Sequence, residues 1–214
     1  MCLLRQSSAR RRVTKRQEMV PSEEFIARRL QGNGSRGISS DGYSEISLSQ
    51  NTQLKCAAVL IPLAPIKGEW HLLYTRRADT VEHHKGQVSF PGGACDPGEG
   101  APEQTALREA QEEIGLRPSD VRLLGRLDSM ITVTHFRVVP VVGVIPWPYV
   151  FQVSNVEVGR VFMIPLNWLA ENSNRWEFSF PGRPQSVIAY HPYDGELLWG
   201  ATARMTVDFL KYLE

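Results

Sequence analysis

Residues 56–63 read Cys-Ala-Ala-Val-Leu-Ile-Pro-Leu, eight positions without one charged side chain. A run of that length is short for a core helix and suits a fully buried strand. Such a strand must be covered by other layers, and the rest of the chain supplies them. Residues 70–76 read as a second strand, and 86–90 as a third that stops at a Pro91-Gly92-Gly93 turn. A helix is expected over 101–114, ended near Gly115 and Pro118. Strands follow at 121–127, 136–145 and 158–164, then a short helix over 165–169. Short strands at 176–180, 187–190 and 196–198 precede a closing helix over 201–213, where Met205, Phe209 and Leu213 recur every fourth residue. Strands in hairpin-like succession, mixed with strands separated by helices, predict an α/β (α+β) fold with a mixed sheet between helices.

This body is expected to occupy residues 54–214. Before it, Ser22 caps a short helix carrying Phe25, Ile26 and Leu30. Residues 32–53 are rich in Gly, Ser and Asn and read as a partly flexible loop. Residues 1–17 hold six basic residues (Arg5, Arg10, Arg11, Arg12, Lys15, Arg16) and no acid. Three readings of that segment compete: a solvated tail ahead of a true start at Met19, a mitochondrial transit peptide, or a basic arm for nucleic acid. The first is preferred, so the expected location is cytoplasmic, with mitochondrial import as the alternative.

Lys and Arg number 24 against 23 Asp and Glu, so no overall field favours a nucleic acid or a membrane surface. No apolar run approaches the ~20 residues of a spanning helix. Cys2, Cys56 and Cys95 are too few and too scattered for a disulfide framework or a Cys-rich zinc site, which fits a reducing compartment. Cys95 has no paired His and is read as filler rather than nucleophile.

The 101–114 helix carries the chemistry. With Leu107 at zero and ~100° per residue, Ala110 falls at ~300° and Ile114 at ~340°, one apolar face. Glu112, Glu109 and Glu113 fall at ~140°, ~200° and ~240°, which predicts three carboxylates on the opposite face, flanked by Arg108. Like charges so close repel. Solvent can relieve them, and so can a hard divalent cation such as Mg²⁺, which takes oxygen ligands and shares itself with substrate phosphates. Gly92 and Gly93 would let backbone approach such an ion or ligand closely.

Arg108-Glu109-Ala110-Gln111-Glu112-Glu113-Ile114-Gly115-Leu116 resembles the core of the Nudix box. The common box places a Gly, five spacers, a Glu and seven spacers before the Arg. Here Gly93 reaches Glu99 correctly, but eight residues then separate Glu99 from Arg108. That extra residue is shared by the coenzyme A pyrophosphatase branch of the superfamily, whose box resembles Gly92, Gly93, Asp96, Glu99 and Thr105 to Ala110. The same branch has an upstream signature, matched by Leu73-Tyr74-Thr75-Arg76-Arg77-Ala78 and by Gly86 through Phe90-Pro91-Gly92-Gly93. A second Arg of that signature is Glu82 here, a departure that bears on substrate. Weaker matches continue through Pro140-Val141-Val142-Gly143 and Trp199 to Arg204, so the resemblance covers about residues 54–213.

The resemblance implies a Nudix-type mixed sheet sandwiched between helices and a metal-dependent hydrolase of nucleoside diphosphates linked to another moiety. The ion is Mg²⁺ or Mn²⁺, with Glu109, Glu112 and Glu113 as ligands. Arg108, Glu112, Glu113 and Glu157 are the candidate catalytic residues, Arg108 by pairing with a loop carboxylate such as Glu99, and Glu157 as one candidate base. Arg76, Arg77, His84, Lys85, Gly92 and Gly93 are candidate substrate contacts. The expected substrate is coenzyme A or acyl-coenzyme A, cleaved to 4′-phosphopantetheine and adenosine 3′,5′-bisphosphate. The alternatives are ADP-ribose, NADH or a dinucleoside polyphosphate, or a Nudix-fold binding module without catalysis. The expected partner is a small nucleotide, with a homodimer as a further possibility; nucleic acid and membrane are not expected. Trp147, Trp168, Trp176 and Trp199 are read as core or interface anchors, one of which could stack adenine.

Overall fold

The computed structural model describes residues 20–32, 39–40, 54–79, 85–179 and 186–214. The basic segment 1–17, most of the 32–53 loop, Glu82, His83 and His84 lie outside the described residues. The elements run α1 Glu23–Gly32, β1 Ser39–Ser40, β2 Lys55–Ile66, β3 Glu69–Arg77, β4 Val88–Ser89, β5 Gly92–Ala94, α2 Pro102–Ile114, β6 Arg122–Arg126, β7 Met130–Ile131 and β8 Phe136–Val144. Then come β9 Val158–Pro165, α3 Leu166–Ala170, β10 Arg175–Ser179, β11 Ser186–Tyr190 and α4 Gly200–Leu213. No helix of the described residues is long and apolar enough to cross a membrane.

The apolar run at 56–63 lies in β2, which organises the sheet. One edge of β2 pairs in parallel with β8 from Lys55 to Leu63. Its other edge is divided: β5 takes Ala57 to Val59, and β3 takes Leu63 to Ile66. With β1, β4, β6, β7 and β9 this makes, among the described residues, a nine-stranded mixed sheet beside a small β10–β11 ribbon. Side chains alternate along β2 as a strand requires. Ala57, Ile61 and Leu63 join the larger core with Ile26, Tyr74 and Phe209, on the side of α1 and α4. Ala58, Leu60 and Ala64 join the second core with Ala106, Ala110 and Ile114, on the side of α2.

Four readings are corrected here. First, Gly92-Gly93 is not a turn but part of β5, where Val59 faces Gly92 and Ala58 faces Gly93. A Cβ on Gly92 would lie 2.5 Å from the Ala58 carbonyl oxygen, so glycine is what lets these strands approach. The neighbouring strand, expected over 86–90, shrinks to Val88–Ser89. Second, Leu107 is not the centre of the buried face of α2. That face holds Thr105, Ala106, Ala110, Glu113 and Ile114, while Leu107 stays partly exposed. The two small alanines let the helix sit close to β2 and β5, which turns Glu113 inward. Third, Cys56 and Cys95 form a disulfide with Cα atoms 5.3 Å apart. They are distant in sequence, but β5 pairs with β2 and makes them cross-strand neighbours. Fourth, residues 196–198 form no strand: only Glu196 makes an isolated bridge, with Tyr193, and the next bridge joins Trp199 to Ala189.

The short helix α1 precedes the expected body yet is built into its core. Ile26 is fully buried, Trp70 Nε1 donates to the Pro21 carbonyl at 2.7 Å, and Arg29 Nε donates to the Tyr212 carbonyl at 2.8 Å.

Candidate active site

Helix α2 starts with Pro at its first turn and ends at Gly115, whose φ of 68° is the left-handed cap that glycine adopts without strain. Beyond the cap the chain turns back along the helix. Gln152 N–H donates to the Ile114 carbonyl and Ser154 N–H to the Glu113 carbonyl. This return carries Glu157 close enough for its charge to act on both Glu109 and Glu113. Ala78 N–H donates to the Glu157 carbonyl at 2.8 Å, which ties the return to the end of β3, beside Arg77.

Arg108 is the hub of the loop. Its Nε donates to Glu99 Oε1 at 2.9 Å, its Nη1 to Glu109 Oε1 at 2.9 Å and Glu112 Oε2 at 3.0 Å, and its Nη2 to the Ala94 carbonyl at 2.9 Å. Glu99 also accepts the Thr105 hydroxyl at 2.5 Å and the Asp96 N–H at 2.8 Å. Arg108 first, then these donors, holds the Glu99 carboxyl down to about 2. The residue added between Glu99 and Arg108 is thus accommodated in a loop that still closes on the arginine.

The three box glutamates differ sharply. Glu112 is largely exposed and turned onto Arg108. Glu109 is half-buried, and burial raises its pKa despite Arg108. Glu113 is 4% exposed, and its Oε2 is buried without a hydrogen-bond partner. Burial, then the charge of Glu109, pushes it up to about 8, while Arg77 and the Gly92 N–H act the other way and the charge of Glu157 adds to the rise. The expectation of three carboxylates on one outer face therefore gives way to a gradient from exposed Glu112 to buried Glu113.

In this arrangement no three His, Cys, Asp or Glu side chains among the described residues are gathered into a metal cage. The donors nonetheless fit a hard divalent ion. Glu113 Oε2 is an orphaned buried oxygen, and orphaned carboxylate oxygens are costly without a cation or proton. The Glu109 carboxylate fills the space a Gly93 side chain would take, 2.4 Å from an added Cβ. All three candidates offer oxygen, which suits Mg²⁺ or Mn²⁺.

Arg76 and Arg77 are adjacent on β3 and go different ways. Arg76 is held by Asp79 at 2.8 Å and by Glu196 at 3.6 Å. Arg77 acts on Glu113, has its Nε buried without a hydrogen-bond partner, and borders a cavity of about 450 Å³. Gln87, Gly92, Thr132, Thr134 and Trp199 share that lining. Gly92 and Arg77 therefore stand in the wall between cavity and glutamates. Lys85 is exposed just before β4. Thr132 and Thr134 were not foreseen, since a polar turn between strands carries no signal of its own. Trp168 instead packs on Tyr193 at 4.9 Å, and Trp176 on His191 at 4.9 Å. A larger cavity of about 910 Å³ between α1, α3 and α4 touches none of the box residues.

The NUDIX domain model matches residues 54–160. The chain is 38% identical over 148 residues to the Nudix hydrolase NudL of Yersinia enterocolitica, covering 69% of this chain and 75% of that one. NudL of Yersinia pestis is also 38% identical, with 69% and 74% covered. Among solved structures, a C. elegans Ap4A hydrolase binary complex is similar at 21% identity, covering 52% of this chain and 80% of that chain with a TM-score of 0.46. The chain belongs to the Nudix family and is a hydrolase acting on pyrophosphate bonds.

Proposed function

From that membership we propose a Mg²⁺- or Mn²⁺-dependent diphosphatase whose substrate is coenzyme A or an acyl-coenzyme A. The place of Arg77 carries the reading. It is the arginine of the upstream signature, and it stands between buried Glu113 and the 450 Å³ cavity. A substrate with its diphosphate at the glutamates can extend one end past Arg77 into that cavity, which is of the size small-molecule pockets have.

Glu109, Glu112 and Glu113 would hold the ion, which when bound supplies neutralising charge and water of lowered pKa. Hydrolysis joins a water oxygen to one phosphorus and breaks the bridging P–O bond, releasing 4′-phosphopantetheine and adenosine 3′,5′-bisphosphate. Glu157, exposed on the return loop and close enough to act on Glu109 by its charge, is the proposed acceptor of the water's proton. Arg77 offsets phosphate charge. Arg108 is a positioning residue, since four of its five N–H donors are spent on Glu99, Glu109, Glu112 and Ala94.

The test is a substrate panel of coenzyme A, an acyl-coenzyme A, ADP-ribose, NADH and diadenosine polyphosphates, each with Mg²⁺ and with Mn²⁺. Preferred release of adenosine 3′,5′-bisphosphate from coenzyme A is the expected result. Preference for ADP-ribose or NADH, with coenzyme A untouched, overturns the substrate while leaving the Nudix chemistry in place.

A further inference from the structure

We propose that Cys56–Cys95 is a reversible redox site that sets how firmly the metal-binding glutamates are framed; its metal half rests on the reading above. The bridge joins the start of β2 to the residue that follows β5. Cys95 is the first residue of the loop that closes on Arg108. Ala94, just before it, gives its carbonyl to Arg108, and Asp96, just after it, gives its N–H to Glu99. Gly93, two residues earlier, leaves the space that the Glu109 carboxylate fills. Gly93, which borders Glu109, and Ala94 and Asp96, which bind Arg108 and Glu99, therefore all lie within two residues of one sulfur.

The bridge is also reachable. Cys56 is exposed and Cys95 is half-buried, whereas the strand residues that follow Cys56, Ala57 and Ala58, are buried. A thiolate from a dithiol reductant can attack one sulfur, form a mixed disulfide and release the other as a thiol. The reductant's second thiol then displaces the protein sulfur. The net change is two electrons and two protons, giving Cys56 and Cys95 as thiols and the reductant as its disulfide. A disulfide-containing oxidant reverses it. Beside the bridge the backbones are paired in their own right: Cys95 N–H donates to the Cys56 carbonyl at 3.1 Å, and β5 pairs with β2 from Ala57 to Val59. What reduction removes is the side-chain tether, so the loop gains freedom while β2 and β5 stay paired.

The experiment uses the full chain equilibrated across a series of dithiothreitol ratios. Free thiols are alkylated and counted by intact mass, amide exchange is followed over residues 92–101, and Mn²⁺ binding is measured by calorimetry without substrate. The expected result is a step of two in the number of alkylated cysteines, carried by Cys56 and Cys95. Exchange over 92–101 should rise, and Mn²⁺ affinity should fall several-fold, along the same titration. A Cys56→Ser/Cys95→Ser variant should match the reduced protein and ignore dithiothreitol, while Cys2→Ser should respond as wild type does. Three alkylated cysteines at every ratio overturn the bridge itself. A two-thiol step with Mn²⁺ affinity unchanged overturns the coupling to the site. Because neither readout needs turnover, a wrong substrate in the panel above leaves this test intact, and wild-type reduction decides it even if the serine variant folds poorly.

Discussion

Gly92 and Gly93 are adjacent, share one strand and should fail in opposite ways when changed to Ala. A Cβ on Gly93 would lie 2.4 Å from Glu109 Oε1, 2.5 Å from its Cδ and 2.7 Å from Oε2. Ordinary contact for a Cβ begins at 3.4 Å, so the carboxylate must retreat by about 1 Å. It can, because it ends a flexible side chain, but it leaves its 2.9 Å bond to Arg108 Nη1. The cost in stability is one part-exposed charged hydrogen bond, about 1–2 kcal/mol. The cost in chemistry is larger, since a ~1 Å misplacement in an active site lowers rates on the order of 100-fold. Gly92→Ala meets the Ala58 carbonyl at 2.5 Å and Val59 Cα at 2.6 Å, both backbone. No rotamer relieves that, so the β2–β5 pairing must open. Initial rates across a Mn²⁺ series and thermal melts, run on both variants, separate the two. Gly93→Ala should keep its melting temperature within several degrees and lose about two orders of magnitude in kcat/KM. Gly92→Ala should lose the fold. A Gly93→Ala enzyme within twofold of wild type refutes the role given to Glu109 at that position.

Glu113 should make the metal-free protein alkali-sensitive. Folding lifts its pKa from 4.5 to about 8, so between those values the folded state holds a proton the unfolded state has released, and stability falls as pH rises across that window. Melts in EDTA at pH 5.5 and 8 should slope downward in wild type and less so in Glu113→Gln, with turnover lost in the variant; parallel slopes would contradict the assignment. Glu157→Gln should lower kcat more than it raises KM, and a pure KM effect removes Glu157 as the base. Arg108→Lys cannot serve Glu99, Glu109, Glu112 and the Ala94 carbonyl with one ammonium, so it should raise the Mn²⁺ concentration needed for half-maximal rate several-fold; an unchanged Mn²⁺ dependence would show that the hub is dispensable.

The site was legible where chemistry is written in local spacing. The Arg108–Glu99 pair follows from a loop that must return to its own helix, and the box glutamates follow from their positions along α2. The depth of each glutamate was not legible. A helical wheel set on Leu107 put Ala110 and Ile114 on the buried face, where they lie, but it gives angles without depth and so left Glu113 on the outer side. The sheet decided otherwise. Gly92 brings β5 against β2, and the alanines then let α2 settle onto both strands, so Glu113 is drawn into the interior with one oxygen unpartnered. The same strand pairing creates the Cys56–Cys95 bridge, which no count of three scattered cysteines could anticipate. Two unforeseen features therefore have one cause, the glycine contact between β2 and β5. It makes a testable link: opening that contact by Gly92→Ala should speed reduction of the Cys56–Cys95 bridge by dithiothreitol and lower the Glu113 pKa together, whereas Gly93→Ala, which keeps the strand pairing, should leave the reduction rate near its wild-type value.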